Sequence, residues 1–110
     1  MLRSLGKVTT TAGTPVRLTM NESVPATRYA AHSVLVEVLS TNTGAVYVGT
    51  STMNKTTLAG VFAVIPPPTA NNFPSFTATV SYSANHFNLA EIYLDVATSA
   101  EGALVSCVRS

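Results

Sequence analysis

The side chains able to do chemistry are few. The acids are Glu22, Glu37, Glu91, Asp95 and Glu101, the histidines are His32 and His86, and the one thiol is Cys107. An enzyme needs several such groups converging on one point. Glu91 and Asp95 read as neighbours on one face of a single strand, with Tyr93 between them. Four residues along a strand is roughly 13 Å, too far for paired acid–base work. His32 and His86 could meet in space, but no close-spaced ligand motif joins them, and a loop histidine bonded to backbone is the commoner case. None of the many serines sits in a nucleophile elbow, and no glycine-rich phosphate loop occurs. The expectation is no catalytic residue, no cofactor and no metal: the chain is not an enzyme.

Two further groups need an environment. Cys107 lies beside Val105 and Val108 and reads as a small buried hydrophobe, with a reactive or intersubunit thiol as the other reading. Glu37 shares a strand face with Leu35 and Leu39. It either pairs with Arg17 or Arg109, because a buried carboxylate requires a partner, or it sits at a rim and reaches water.

The elements that carry these residues read as β throughout. At the C-terminal end, Ile92, Leu94 and Val96 alternate with Glu91, Tyr93 and Asp95, the period of a strand with one buried face. Residues 98–102 supply turn chemistry, with Gly102 free to take a positive φ. Ala103, Leu104, Val105, Cys107 and Val108 then form a final strand so apolar that it must pair inside a sheet. Earlier, Val34, Val36 and Val38 share one face of a strand over 33–39. Ser33, Leu35, Glu37 and Leu39 share the other, which predicts a central strand between two packed layers. Residues 40–44 read as a hairpin loop, with Asn42 and Gly44 in left-handed conformations, returning as 45–49. Further strands are expected at 16–20, 60–65 and 75–82, with residues 1–7 as a short arm and at most one helical turn over 29–32. Loop 50–59 should project from the body. Pro66, Pro67 and Pro68 end a strand and stiffen a crossover. About seven or eight strands at short spacing predict a single domain over 1–110, an all-β antiparallel sandwich or jelly roll.

Composition narrows the partners. Six Lys and Arg stand against five Asp and Glu, and charged residues make up 10% of the chain, well below an ordinary soluble domain. Polarity comes instead from Ser, Thr and Asn, which meet another protein surface at low desolvation cost. The cations are scattered singly, so no nucleic acid is expected, and no apolar run suits a membrane. The N-terminus has no apolar signal core. The sequons at Asn21 and Asn54 read as chance matches in a Ser/Thr-rich chain.

The pairing of the 33–49 stretch with Ile92-Tyr93-Leu94-Asp95-Val96 and Glu101-Gly102-Ala103-Leu104-Val105-Ser106 resembles small virion proteins of tailed bacteriophages. In particular it is similar to decoration (cement) proteins of the head. The resemblance runs over residues 16–108 on generic β patterns. It implies a structural virion protein on the capsid surface, made in the host bacterial cytoplasm. Such a protein is commonly a homotrimer that stabilises the head by clamping neighbouring major capsid subunits. It supplies no catalytic residue, and the chain departs from some of these proteins in lacking a long N-terminal arm. The alternative is a tail- or fibre-associated β module that binds a receptor or carbohydrate. Such modules usually expose aromatic residues over a polar cleft. Here there is no Trp, and Tyr29, Tyr47, Tyr82 and Tyr93 are spread along the chain. The expected trimer contacts are apolar and hydroxyl-rich, with Leu104 or Val108 needing cover and the loops at 50–59 and 66–74 long enough to carry function.

Overall fold

The computed structural model describes residues 2–22, 29–79 and 87–109. The predicted strand end at 80–82, the turn at 83–86 with His86, and Arg28 lie outside the described residues. Nine strands are present among the described residues: β1 (Leu2–Thr9), β2 (Val16–Arg17), β3 (Ala30–Val38), β4 (Val46–Gly49), β5 (Val61–Ile65), β6 (Ser75–Thr79), β7 (Phe87–Asn88), β8 (Tyr93–Val96) and β9 (Gly102–Arg109). One 3-10 turn, Leu89–Glu91, precedes β8 and is the only helical element among those residues. Its N-cap is Asn88, whose side chain accepts from the Ala90 N–H.

These strands form two antiparallel sheets. The first runs β1-β9-β3-β6, with β7 also pairing with β3, and the second runs β2-β8-β4-β5. Val34, Val36 and Val38 of β3, and Ala103, Val105 and Cys107 of β9, point into the space between the sheets. Val46, Val48, Leu94, Val96 and Ile65 face them from the second sheet. Burying each such aliphatic side chain contributes about 1.5–3 kcal/mol. The expected all-β antiparallel sandwich is therefore the fold. The apolar final strand β9 lies inside its sheet, between β1 and β3.

Several expectations at the level of strands need correction. Residues 1–7 are not a free arm, since β1 pairs with β9 from Leu2↔Val108 to Thr9↔Gly102. The register shifts between Ser4 and Gly6, and Gly6 has φ 77°, the signature of a bulge. The bulge resets the alternation, so Leu5 and Val8, three residues apart, both reach the core. The predicted strand over 16–20 stops at Arg17. Leu18 is held by its N–H to the Ile92 carbonyl at 3.0 Å, and the chain turns with Met20 N–H donating to the Arg17 carbonyl.

Neither predicted hairpin forms. β3 pairs with β6, β7 and β9, whereas β4 pairs with β5 and β8. Residues 33–39 and 45–49 thus belong to different sheets, as do 91–97 and 103–108. Alternation reports which face of a strand is buried, not which strand lies beside it. The two crossings are locked to each other. The Asn42 side-chain amide donates to the Gly102 carbonyl at 2.7 Å. The Glu101 carboxylate accepts from the Thr43 N–H and hydroxyl and from the Gly44 N–H. Asn42 and Gly44 are not in the left-handed region; Ala100 is, with φ 71°. Gly102 is needed for space, not for φ, because a Cβ there would stand 1.9 Å from the Val8 carbonyl oxygen.

β3 is central within its sheet but packed on one face only. Its outer side carries Ser33, half-buried Leu35 and exposed Glu37. The loop over 50–60 does not simply project. Met53 is buried, and Lys55 reaches back to the second sheet, where its ammonium donates to the Val96 carbonyl at 2.8 Å.

Candidate interaction surfaces

The residues singled out for chemistry are placed apart, and most have a structural task. Among the described residues no three His, Cys, Asp or Glu side chains group as a metal site. Asp95 does not share an exposed face with Glu91. It is 2% exposed, accepts from the Gly13 N–H at 3.0 Å and from its neighbour Val96, and lies 3.6 Å from the Lys55 ammonium. Glu91 is exposed beside the 3-10 turn. Glu37 is exposed on the first sheet: it reaches water and is not a buried pair, but it does so from the central strand β3 and not from a rim. His32 lies partly buried in β3. Cys107 is buried and free of any disulfide, and burial pushes its thiol pKa up.

Glu22 and Tyr29 anchor the start of β1. The Arg3 guanidinium donates to the Glu22 carboxylate at 2.6 Å, and the Tyr29 hydroxyl donates to the same oxygen at 3.1 Å. The Arg3 hydrogen bond holds the Glu22 carboxyl below its ordinary pKa. The Tyr29 ring is buried, with the Arg109 guanidinium 4.4 Å from its centroid. That burial, together with the Glu22 charge, pushes the Tyr29 hydroxyl up to about 12. Burial also raises Glu101, but its three hydrogen bonds from Gly44 and Thr43 outweigh this and leave it lowered.

Three surfaces can receive something from outside. The first is an apolar cleft of about 500 Å³ between the sheets, lined by Phe62, Phe76, Ala78, Phe87 and Ile92, with Thr50, Asn88 and Glu91 among the polar residues. It lies where β5 ends one sheet and β6 and β7 flank β3 in the other. Phe62 is 58% exposed and Val64, two residues along β5, is 44% exposed. The second is a more polar groove of about 330 Å³ lined by Arg17, Thr50, Ser51, Ala90, Glu91 and Tyr93. There the Arg17 guanidinium lies 5.5 Å from the centre of the Tyr93 ring, and its Nε–H donates to the Ala90 carbonyl at 3.2 Å.

The third surface is the outer face of the first sheet. Residues directly opposite in an antiparallel pair share a face, so the register arranges this side in rows. Leu2, Val108, Ser33 and Thr79 make one row, and Ser4, Ser106, Leu35 and Thr77 the next. Lys7, Leu104, Glu37 and Ser75 make the third. The face is hydroxyl-bearing and aliphatic, with one cation and one anion, and has a hollow of about 190 Å³ between Leu2, Leu35, Thr77 and Val108. Sequence reasoning had named Leu104 as needing cover. It missed the aromatic cleft, because Phe62, Phe76 and Phe87 are far apart in the chain and meet only through the sheet order.

Compared with known protein families, characterised proteins and solved structures, the chain matches none.

Proposed function

We propose that this protein is a structural, non-enzymatic virion component that decorates the head of a tailed bacteriophage by binding between major capsid subunits. The observation that carries the reading is the cleft beside β5 and β6. It joins exposed apolar side chains to two sheet-edge strands without a charged residue in either, Val61–Ile65 and Ser75–Thr79. Edge strands usually carry charges, bulges or prolines that block pairing with another chain; β5 does carry a bulge at Phe62, where Val48 pairs with Ala63 and Gly49 with Val61, and runs into Pro66, whereas β6 has none of these within Ser75–Thr79. The uncharged, regular edge of β6 beside the aromatic cleft suits an extended apolar segment of a capsid subunit, held by main-chain hydrogen bonds with side chains in the cleft. The low charge content favours the same use, since little desolvation opposes contact.

Adding the purified protein to heads that lack it tests the reading. It should bind them and raise their resistance to heat, and Phe62→Asp should abolish both while leaving the isolated fold intact. Wild-type protein that neither binds such heads nor stabilises them defeats the proposal. The groove at Arg17, Glu91 and Tyr93 favours a second reading, a tail- or fibre-associated module for a carbohydrate receptor. It combines an aromatic ring, hydroxyls and both signs of charge. Glycan-array binding that Tyr93→Ala removes would move that reading ahead.

A further inference from the structure

We infer that the outer face of the first sheet is a self-association surface, and that its occupant is a second copy of this chain related by a twofold axis running along β9. The inference does not depend on the virion reading, because it uses the opposite face of the first sheet from the one that lines the aromatic cleft.

Charge complementarity carries the argument. Leu104 is outward and 49% exposed. Its direct partner on one side is Lys7 and on the other Glu37, both exposed. The two charges stand two strand spacings apart, roughly 10 Å. In this structure they do not pair with each other, and neither has an ion-pair partner among the described residues. A twofold axis lying in the interface along β9 exchanges the positions on its two sides. It sets Lys7 of each copy over Glu37 of the other and packs Leu104 on Leu104, with Ser106 facing Ser106 and Val108 facing Val108 further along the axis.

Neighbouring placements fail the same test. An axis between β9 and β3 would set Leu104 on Glu37 and Lys7 on Ser75. A threefold axis cannot bring one patch against itself at all, because only a twofold gives an isologous contact. The expected trimer therefore requires a different surface from this one.

Size sets the strength. The overlap of three strands over about six residues is roughly 15 by 20 Å, on the order of 600 Å² buried in total, well below a standard interface. The dimer is accordingly weak and concentration-dependent.

Sedimentation equilibrium over a wide concentration range at low salt is the test. Wild type should pass from monomer to dimer. Lys7→Glu alone and Glu37→Lys alone each oppose like charges at two symmetry-related sites and should weaken dimerisation about tenfold. The double variant K7E/E37K restores both pairs with reversed sign and should recover wild-type affinity. Because these side chains are exposed, circular dichroism should show the same fold in all four proteins. A wild type that stays monomeric at every concentration, a trimer mass, or a double variant no tighter than the single ones would each overturn the inference.

Discussion

The outer faces of the two sheets differ although both are built from alternating strands. On the second sheet the outward position of Asp95 is sealed, only 2% exposed. The backbone at Gly13 donates to it, and Lys55 reaches across from a loop, with its ammonium 5.9 Å from the centre of the Tyr47 ring. On the first sheet the outward positions at Ser75, Thr77 and Thr79 stay exposed. An outward position is therefore not an exposed one; the loops decide. Covering a charge carries a desolvation penalty that must be met by partners, and the second sheet has them. The first sheet has none to spare and holds only hydroxyl and aliphatic groups around Lys7 and Glu37. One face is committed to the fold and the other is left open to solvent.

Breaking the covered face should have the largest effect. Asp95→Ala removes the acceptor for Gly13 and the anion beside Lys55, and should cost roughly 2–3 kcal/mol in urea unfolding. Asp95→Asn keeps an acceptor for the Gly13 N–H and should lose less. Equal losses for the two variants would mean that the ion pair, not the backbone anchor, holds the loop down.

The corner that joins the sheets comes next. Asn42 is 6% exposed, and its amide satisfies the Gly102 carbonyl. Asn42→Ala leaves that carbonyl buried without this donor and should lower stability by about 1–2 kcal/mol, measured by the same unfolding curves. A loss below a few tenths would show that the crossings hold without their mutual lock.

These corners mark the limit of what the residues alone can tell. The valines at 34, 36 and 38 and the Leu94–Val96 pair announced strands, because each position on a strand faces one side and the apolar set names the core. Sheet membership had no such signal. Nothing in residues 33–49 distinguishes a hairpin from a crossing, since Asn42 serves either a left-handed turn or a side-chain lock. β1 was hidden by its Gly6 bulge, which puts Leu5 and Val8 out of step. Asp95 matched an exposed pattern because its cover, Lys55, stands forty residues earlier in the chain. The cleft and the Lys7–Leu104–Glu37 row are products of register, and register is set by long-range pairing.

Acid titration should sharpen the picture with a smaller effect, because it reaches the clamps. The Glu22 and Glu101 carboxyls are lowered in the folded chain from an ordinary 4.5. A depressed carboxylate contributes stability at neutral pH, and that contribution is lost as pH falls below the unfolded value and through the folded one. The melting temperature should therefore fall as pH drops below about 4.5. Glu22→Gln and Glu101→Gln should each make that decline shallower. A decline unchanged in both variants would place the acid-sensitive groups elsewhere.

The smallest expected effect belongs to the bare face, and it is the sharpest test of the contrast. Leu104 is half exposed between Lys7 and Glu37, while its neighbours Ala103 and Val105 fill the core. Its side chain meets water rather than the other sheet, so Leu104→Ser removes little buried apolar area and leaves no buried cavity. Unfolding measured at a dilution where the chain is monomeric should shift by less than about 0.5 kcal/mol, as for most surface substitutions. The same change made at Val105, which is fully buried, creates a void and buries a hydroxyl, and should cost several times more. If Leu104→Ser destabilised the dilute monomer as much as Val105→Ser, the outer face of the first sheet would be part of the fold's own packing. The division between a committed face and a free one would then fall. If it leaves the monomer unchanged but abolishes association at high concentration, Leu104 serves contact and not folding, the role that separates this sheet from the one Lys55 covers.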